Sequence, residues 1–376
     1  MIDEIPISGL VGQGFASVRD VFAANFASDD DLGASFSVYV DGELQVDLCG
    51  GFTNRKKQEL WTEQTCACVY STGKAVLAFL IAREVSNGRL DYDQPVATYW
   101  PEFGTAGKEA ITVAEALSHQ AGLCAIAEEM PPADWLNWDL ICSRIAAAPP
   151  LWEPRTASGY GPQTFGFIAG ELLKRTTGLS VGNLLRRDIQ SQNLQLFCGL
   201  TEEQLAASAQ MLKPPKAPDL GELNEFTKLA FLKPWSAPAK VAREDWAAAE
   251  IPASNMHANA RSLAALMSPF ADNGAAINGE QVLTPETIEK TLAEQINGPD
   301  LVLPFTLSWA AGVMRNRSGH FGPSDTAFGH AGFGGSCIAF DPRHNLSVAY
   351  VMNKMSPHLV GDPRALRLIE AVYQCL

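Results

Sequence analysis

The sequence lacks the features that mark nucleic-acid-binding and membrane-spanning proteins. Its 28 lysines and arginines are outnumbered by 42 aspartates and glutamates, for a net charge of −14, so no excess of positive charge is available to attract a nucleic acid or an anionic membrane surface. The longest apolar run, around residues 75–85, is too short to cross a bilayer. The opening residues MIDEIPISGL are acidic where a signal peptide is basic. We therefore expect a cytoplasmic protein with neither a nucleic acid nor a membrane as its partner.

Cysteine occurs at eight positions, but in no arrangement that binds a metal. No C-x-x-C pair is present, and no group of cysteines and histidines has the spacing of a zinc site, so we predict neither a metal nor another cofactor. Cys66 and Cys68 alternate with Thr65 and Ala67, which is typical of buried strand positions. Scattered cysteines in a chain of 376 residues fit a reducing compartment.

Strand patterns lie near both ends of the chain, and helical patterns fill the middle. Residues 9–28 have apolar side chains at helical spacing, which predicts a helix. Residues 36–48 alternate apolar and polar side chains about Asp41-Gly42, which predicts a β-hairpin. A short strand at 65–69 precedes a helix at 72–86 that is apolar around its circumference, as a central helix is. Further helices are predicted at 112–119, 133–147, 163–176, 201–212, 258–273, 285–295 and 362–374, and further strands at 305–314, 336–340 and 346–353.

This order of elements predicts an α/β (α+β) fold with one antiparallel sheet built from both termini, flanked by helices, and an inserted mainly helical domain. We assign residues 1–90 and 296–376 to the α/β domain and residues 91–295 to the helical domain. In such an architecture we expect the active site in the cleft between the two parts. No pattern in the sequence indicates the oligomeric state.

Ser71 and Lys74 stand three residues apart at the start of the most apolar helix. Residues at that spacing share a helix face, so Lys74 is expected to reach the Ser71 hydroxyl. A serine hydroxyl becomes a good nucleophile when a neighbouring base removes its proton. A lysine can be that base if burial lowers its pKa, and backbone N–H groups at the helix N-terminus can stabilise an oxyanion beside Ser71.

Three other residues compete with this pair for a catalytic role. Ser180 lies in GLSVG, which matches the G-x-S-x-G pattern of α/β-hydrolases, but a helical pattern precedes it where a nucleophile elbow needs a strand, so the N-cap of the next helix explains it better. Cys68 is close to Ser71 in the chain, although its apolar strand setting indicates an inert thiol. His119, at the end of a predicted helix, is interpreted as structural.

Four segments together resemble one superfamily. VYSTGKAVLAFL, ALSHQAGL, GYGPQTFGFIAGELLKRTTG and GHAGFGGSCIAFDP follow one another in the order and spacing of the serine β-lactamases and penicillin-binding proteins. Within that superfamily the chain looks most like the class C-like esterases, the family VIII carboxylesterases. The resemblance runs from about residue 34 to the C-terminus and implies the β-lactamase/transpeptidase-like fold.

The resemblance also implies roles for individual residues. Ser71 matches the acylated nucleophile, Lys74 its base, and Tyr160 the tyrosine that shares protons with the lysine and the leaving group; its phenol is expected to ionise more easily than usual beside an ammonium. The backbone amides of Ser71 and Phe333 correspond to the oxyanion hole.

Two positions depart from the lactamase pattern. Pro162 replaces an asparagine or serine whose side chain helps to position the lysine. His330-Ala331-Gly332 stands where the lactamases have Lys-Thr-Gly, which weakens recognition of an antibiotic carboxylate and resembles the esterase branch. We expect His330 to form a hydrogen-bonding wall, and the glycines around it, Gly332 among them, to let the backbone approach the substrate closely. Three tryptophans are candidates for lining the acyl pocket: Trp152, Trp235 and Trp309.

These residues predict a serine hydrolase that cleaves small carboxylic esters with short to medium acyl chains through an acyl-enzyme on Ser71. Transacylation, amide hydrolysis or weak β-lactam hydrolysis would use the same residues. A catalytically silent penicillin-recognising binding protein is the alternative from another class, supported by Pro162 and the missing Lys-Thr-Gly.

Overall fold

The computed structural model describes residues 5–376, and its main element is a nine-stranded antiparallel sheet. The strands of the chain are β1 (Ile7–Val11), β2 (Gly33–Val40), β3 (Glu43–Gly51), β4 (Ala67–Cys68), β5 (Leu196–Phe197), β6 (His257–Ala258), β7 (Ile296–Pro299), β8 (Thr306–Trp309), β9 (Met314–Arg315), β10 (Phe328–Ala331), β11 (Cys337–Asp341) and β12 (Leu346–Met352). The large sheet has the order β1-β3-β2-β12-β11-β10-β9-β8-β7, and β4, β6 and β5 form a small second sheet. Because β12 pairs with β2, with Val348 opposite Val38, the prediction of one sheet from both termini is confirmed.

The helices fill both faces of this sheet and most of the middle of the chain. They are α1 (Ala16–Ala27), α2 (Gly73–Ser86), α3 (Val96–Tyr99), α4 (Val113–Leu117), α5 (Trp138–Ala147), α6 (Thr164–Thr177), α7 (Val181–Asp188), α8 (Glu202–Ala207), α9 (Glu225–Thr227), α10 (Arg243–Ala248), α11 (Ala260–Ala271), α12 (Pro285–Leu292) and α13 (Pro363–Tyr373). A π-helical turn at Lys228–Leu232 continues α9.

Two hydrophobic cores lie on opposite faces of the large sheet. Successive side chains of a strand point to opposite faces, and β12 shows this directly: Val348 and Tyr350 pack with α1 and α13, whereas Ala349 and Val351 pack with α2 and α11. Helix α2 is apolar all round because it lies between the sheet and α6. Helix α11 packs on β2, β11 and β12. A helix from residues 91–295, the range assigned to the helical domain, therefore covers one face of the large sheet.

The predicted helix at 9–28 is wrong in its first part. Residues Ile7–Val11 form the edge strand β1, which pairs with β3, and α1 begins only at Ala16. Gly9 has a φ of +121°, and a Cβ atom there would lie 1.9 Å from the carbonyl oxygen of Asp47. The strand conformation of residues 7–11 therefore depends on hydrogen bonds to β3, almost 40 residues away. Local periodicity in the sequence does not reveal such contacts.

All eight cysteines are free thiols, and seven of them are buried. Within residues 5–376, none of the helices is both long enough and apolar enough to cross a bilayer.

Candidate active site

Ser71 lies in a tight turn between β4 and α2. Tyr70, just before it, has a φ of +46°, which is uncommon for a bulky side chain and indicates a strained, tightly held turn. Gly73 follows in the first turn of α2, where a Cβ atom would lie 2.7 Å from the carbonyl oxygen of Pro252. The turn therefore needs glycine at position 73 and presents the Ser71 side chain to a cavity.

Lys74 is fully buried, and its amine is next to the Ser71 hydroxyl, as the spacing predicts. Lys74 Nζ lies 3.0 Å from Ser71 Oγ, and it donates hydrogen bonds to the carbonyl oxygens of Pro162 at 3.0 Å and Ala253 at 3.4 Å. Burial holds the pKa of Lys74 well below 10.5, because desolvation disfavours the charged form. A neutral amine has two hydrogens and one lone pair. The two carbonyls account for the hydrogens, which leaves the lone pair for the Ser71 hydroxyl proton.

Pro162 supports the lysine through its backbone. The sequence indicated that proline at this position removes a side chain that positions the amine. The carbonyl oxygen of Pro162 accepts a hydrogen bond from Lys74 instead, and a backbone carbonyl is present whatever the residue type. Pro162 therefore does not leave Lys74 without a partner.

Tyr160 lies beside this pair, and here the structure corrects the sequence-based expectation. Lys74 Nζ is 4.7 Å from the centre of the Tyr160 ring, over its face, so the amine faces the π system. Burial raises the pKa of Tyr160 above its ordinary value of 10.0, and the nearby Ser71 hydroxyl only partly opposes this. The phenol is thus harder to ionise than usual, and it is suited to donate a proton rather than to act as a phenolate base.

The turn between β10 and β11 carries Phe333 to the same cavity wall as Ser71. The Ser336 hydroxyl donates to the carbonyl oxygen of Val69 at 2.8 Å and lies 3.0 Å from Thr72 Oγ1, which ties this turn to the one holding Ser71. A Cβ atom on Gly332 would lie 2.2 Å from the Val69 oxygen, so the close approach requires glycine there. Within the described chain, the amides of Ser71 and Phe333 donate no hydrogen bond, which leaves both available to an oxyanion.

His330 lies behind the cavity. It is fully buried on β10, its ring centre is 6.2 Å from that of Tyr160, and its Nδ1 donates to the carbonyl oxygen of Ala331 at 2.9 Å. Burial and the nearby Lys74 lower the pKa of His330 to about 3, so the imidazole is neutral. Its neighbours Ala331 and Phe333 line the cavity, so the predicted wall is formed by the segment around His330 rather than by its ring.

The three tryptophans require a correction, since none of Trp152, Trp235 and Trp309 lies on the wall of the cavity. Trp309 is fully buried and stacks on Tyr160 with ring centres 6.1 Å apart. Trp152 packs against Gly159, and Trp235 donates from Nε1 to the carbonyl oxygen of Ile126. The apolar character that suggested a pocket wall serves packing at all three positions.

The competing residues have structural roles in the described chain. Ser180 is the N-cap of α7, where its Oγ accepts from the Asn183 amide and donates to Glu250 at 2.7 Å. Burial raises the pKa of Cys68 to about 12, so its thiol is inert, as expected. His119 is buried against the Tyr160 ring.

The cavity in front of Ser71 has a volume of about 540 Å³ and an apolar, uncharged wall. Sequence reasoning missed several of its residues, because they come from segments far apart in the chain. The lining consists of Tyr70, Ser71, Tyr160, Pro162, Gln163, Ala217, Pro218, Leu220, Ala230, Phe231, Leu232, Ala237, Pro238, Trp246, Ser254, Leu303, Met314, Ala331, Phe333, Leu359 and Val360. Not one of these side chains is a carboxylate, an amine or a guanidinium.

The sheet of both termini, the central helix with its serine and lysine, and the tyrosine beside them define the β-lactamase/transpeptidase-like fold. The chain belongs to the Beta-lactamase family, whose profile matches residues 18–372.

Relatives of the chain include esterases and a penicillin-binding-protein homologue. It is 29% identical over 373 residues to the esterase/β-lactamase LipL of Mycobacterium tuberculosis, covering 95% of this chain and 85% of LipL. Its structure is similar to the crystal structure of a penicillin-binding protein homologue from Caulobacter crescentus (47% identity, TM-score 0.95, covering 99% of this chain and 100% of the other). It is also similar to a family VIII carboxylesterase (36% identity, TM-score 0.92, covering 99% and 100%).

Proposed function

We propose that this protein is a hydrolase that cleaves carboxylic esters through a covalent acyl-enzyme on Ser71. The observation that carries the proposal is the 3.0 Å distance between Ser71 Oγ and the fully buried Lys74 amine. Likeness to a family VIII carboxylesterase and to an esterase/β-lactamase gives independent support.

In the proposed acylation step, the neutral Lys74 amine accepts the Ser71 hydroxyl proton as Oγ bonds to the ester carbonyl carbon. The carbonyl oxygen becomes an oxyanion, held by the amides of Ser71 and Phe333. Collapse of this intermediate breaks the bond to the leaving oxygen, which takes the phenol proton of Tyr160. Because Lys74 Nζ faces the Tyr160 ring rather than its oxygen, the proton held by the ammonium passes back to the phenolate through the incoming water. Water attacks the acyl-enzyme in the second half of the reaction, with the same groups acting in reverse.

The uncharged cavity supports a neutral ester as the substrate. A buried carboxylate without a cationic partner is costly, and no side chain on the described cavity wall supplies a cation. Apolar residues such as Leu220, Phe231 and Leu232 suit an alkyl or aryl acyl group. We propose short to medium acyl chains, and weak or no turnover of anionic β-lactams, since His330 stands where lactamases have lysine.

The test compares Ser71→Ala with Ser180→Ala on 4-nitrophenyl butyrate. Loss of the nucleophile should lower kcat/KM at least ~10³-fold. Loss of the α7 N-cap should leave kcat/KM unchanged and destabilise the protein by about 1 kcal/mol. A fluorophosphonate should label wild type at Ser71 and fail to label Ser71→Ala.

Retained turnover in Ser71→Ala, or a label mapped to another residue, would overturn the proposal. Turnover of nitrocefin as fast as that of the ester would instead favour a lactamase. A butyl ester formed in the presence of 1-butanol would show that the acyl-enzyme also transfers its acyl group to alcohols.

A further inference from the structure

The three backbone N–H groups of residues 159–161, the segment that carries Tyr160, all donate hydrogen bonds to one of two residues that are distant in sequence. The Gly159 amide donates to the carbonyl oxygen of His119 at 3.0 Å, and the Gly161 amide donates to His119 Nδ1 at 3.1 Å. Between them, the Tyr160 amide donates to Asp300 Oδ1 at 3.0 Å. We call residues 159–161 the tyrosine loop. His119 and Asp300 together hold all three of its amides.

His119 has the tautomer and the backbone geometry that this contact needs. Because Nδ1 accepts from the Gly161 amide, the ring proton is on Nε2. Burial and the nearby Lys74 hold the pKa of His119 well below 6.5, so Nδ1 stays an acceptor at neutral pH. The residue has a φ of +61°, a left-handed conformation that histidine adopts at some cost. Its ring lies 5.0 Å from the Tyr160 ring and 4.5 Å from the Trp309 ring.

Asp300 holds the loop from the opposite side. Its Oδ1 accepts from three amides, those of Tyr160, Val302 and Leu303, at 2.9 to 3.0 Å, and its Oδ2 accepts from the Ser158 hydroxyl at 2.9 Å. Only 8% of Asp300 is exposed, and within residues 5–376 it forms no salt bridge. Amide dipoles therefore stabilise this carboxylate, and moving the loop would leave it under-solvated.

The two glycines of the loop leave it no room to shift. A Cβ atom on Gly159 would lie 2.3 Å from the Trp152 ring, and one on Gly161 would lie 2.5 Å from Thr164 Oγ1. Bonded amides and close flanking contacts therefore hold the backbone from which the Tyr160 side chain projects.

We propose that His119 and Asp300 are positioning residues, which fix the tyrosine loop so that the Tyr160 hydroxyl meets the leaving-group oxygen. This inference rests on the proposed esterase function. A proton donor displaced by about 1 Å can lose about 10²-fold in rate. That loss should depend on the leaving group, since an alkoxide needs a proton in order to leave and a 4-nitrophenolate does not.

The experiment compares ethyl butyrate with 4-nitrophenyl butyrate, which form the same butyryl-enzyme, so kcat/KM reports acylation for both. In His119→Gln the acceptor oxygen is one bond farther from the backbone than Nδ1, so it does not reach the Gly161 amide in the same geometry. We expect kcat/KM to fall ~10²-fold for the ethyl ester and less than ~10-fold for the 4-nitrophenyl ester. In His119→Asn the side-chain oxygen can accept from Gly161, and asparagine tolerates a positive φ, so the ratio of the two rates should return to within about threefold of wild type. Tyr160→Phe sets the full size of the leaving-group effect.

His257→Ala is the matched control, because His257 is as buried as His119 but bonds to Asn255 away from the loop. It should lower Tm and leave the ratio between the two esters at the wild-type value. Equal losses for both esters in His119→Gln, or no rescue by His119→Asn, would overturn the positioning role while leaving the esterase function intact. If His119→Gln does not fold, Tyr160→Phe still tests the inference. Equal losses of kcat/KM for the two esters in Tyr160→Phe would overturn the positioning role. If wild type turned over neither ester, the proposed function would fall, and this inference with it.

Discussion

Two buried basic side chains, Lys74 next to Ser71 and Arg364 at the start of α13, differ in what surrounds them. Arg364 bonds to Asp31 at 3.0 Å and to Asp362 at 2.8 Å. Burial alone would lower the pKa of Arg364, but Tyr350 and these two carboxylates more than offset it and raise the pKa. Lys74 has no carboxylate within salt-bridge distance in the described chain, and burial lowers its pKa.

The difference shows what pairing does to reactivity. A buried cation with anionic partners keeps its proton and acts as a structural cross-link. A buried amine without one loses its proton more readily and can act as a base. In the proposed mechanism, the lone pair that accepts the Ser71 proton is thus a consequence of the missing carboxylate.

The largest effect is expected from Lys74→Met, which removes the base and keeps the volume. Activity on 4-nitrophenyl butyrate should fall ~10³-fold or more, since general base catalysis and nucleophile activation are both lost. Stability should change little, because removing the buried amine relieves its desolvation cost while the carbonyl oxygens of Pro162 and Ala253 lose their donor. Steady-state kinetics and urea unfolding measure the two effects. An active Lys74→Met variant would show that another group deprotonates Ser71.

The second largest effect is expected from Arg364→Met, which should lose much stability and little activity, the reverse of Lys74→Met. Asp31 and Asp362 would be left buried without their cation, at a cost of about 3–5 kcal/mol in the free energy of unfolding. Arg364 also donates to the carbonyl oxygen of Gly334 at 2.7 Å, next to Phe333, so some loss of activity is expected, but far less per folded molecule than in Lys74→Met. Equal losses of activity per folded molecule in Lys74→Met and Arg364→Met would show that Lys74 has no more direct a role in the reaction than Arg364.

A smaller effect is expected in the pH dependence of stability, and it depends on Lys74. Lys74 is neutral in the folded protein over a pH range in which the unfolded chain binds its proton, so unfolding takes up a proton there. Between its lowered folded pKa and the unfolded value, the free energy of unfolding of wild type therefore rises with pH, by up to about 1.4 kcal/mol per pH unit. Lys74→Met lacks this contribution.

Urea unfolding of both proteins measures this slope. The free energy of unfolding of Lys74→Met minus that of wild type should fall as pH rises from about 8 to about 10. Contributions from all other groups cancel in the difference. A difference that does not change with pH would mean that the buried amine keeps its proton in the folded state.

The sequence predicts the parts of this site that depend on short spacings. Ser71 and Lys74 are one helical turn apart, so their contact follows from helix geometry. The hairpin about Asp41-Gly42 is likewise local: both residues have positive φ, as the turn requires. Ser180 could be assigned as an N-cap because the pattern before it is helical.

Contacts between distant segments account for what the sequence does not predict. Asp300 meets Tyr160 across 140 residues, and nothing about an isolated aspartate indicates such a partner. Apolar residue type cannot separate a cavity wall from a core, which is why Trp246 lines the cavity and Trp309 does not. At Pro162 the interacting group is a backbone carbonyl, which no residue pattern reports.

The smallest effect is expected at Lys108, a second fully buried lysine that tests whether burial alone makes a base. Its Nζ donates to the carbonyl oxygens of Thr105 at 3.0 Å and Ala148 at 2.6 Å. Burial lowers the pKa of Lys108, with Glu109 partly opposing it, but less than it lowers the pKa of Lys74. Within the described residues, its amine has no hydroxyl partner.

In Lys108→Met the two carbonyls lose their donor, which should cost about 1–2 kcal/mol of stability, while kcat/KM for 4-nitrophenyl butyrate stays within about twofold of wild type. A Lys108→Met variant as inactive as Lys74→Met would mean that loss of any buried amine disables the enzyme. The 3.0 Å contact with Ser71 would then no longer distinguish Lys74.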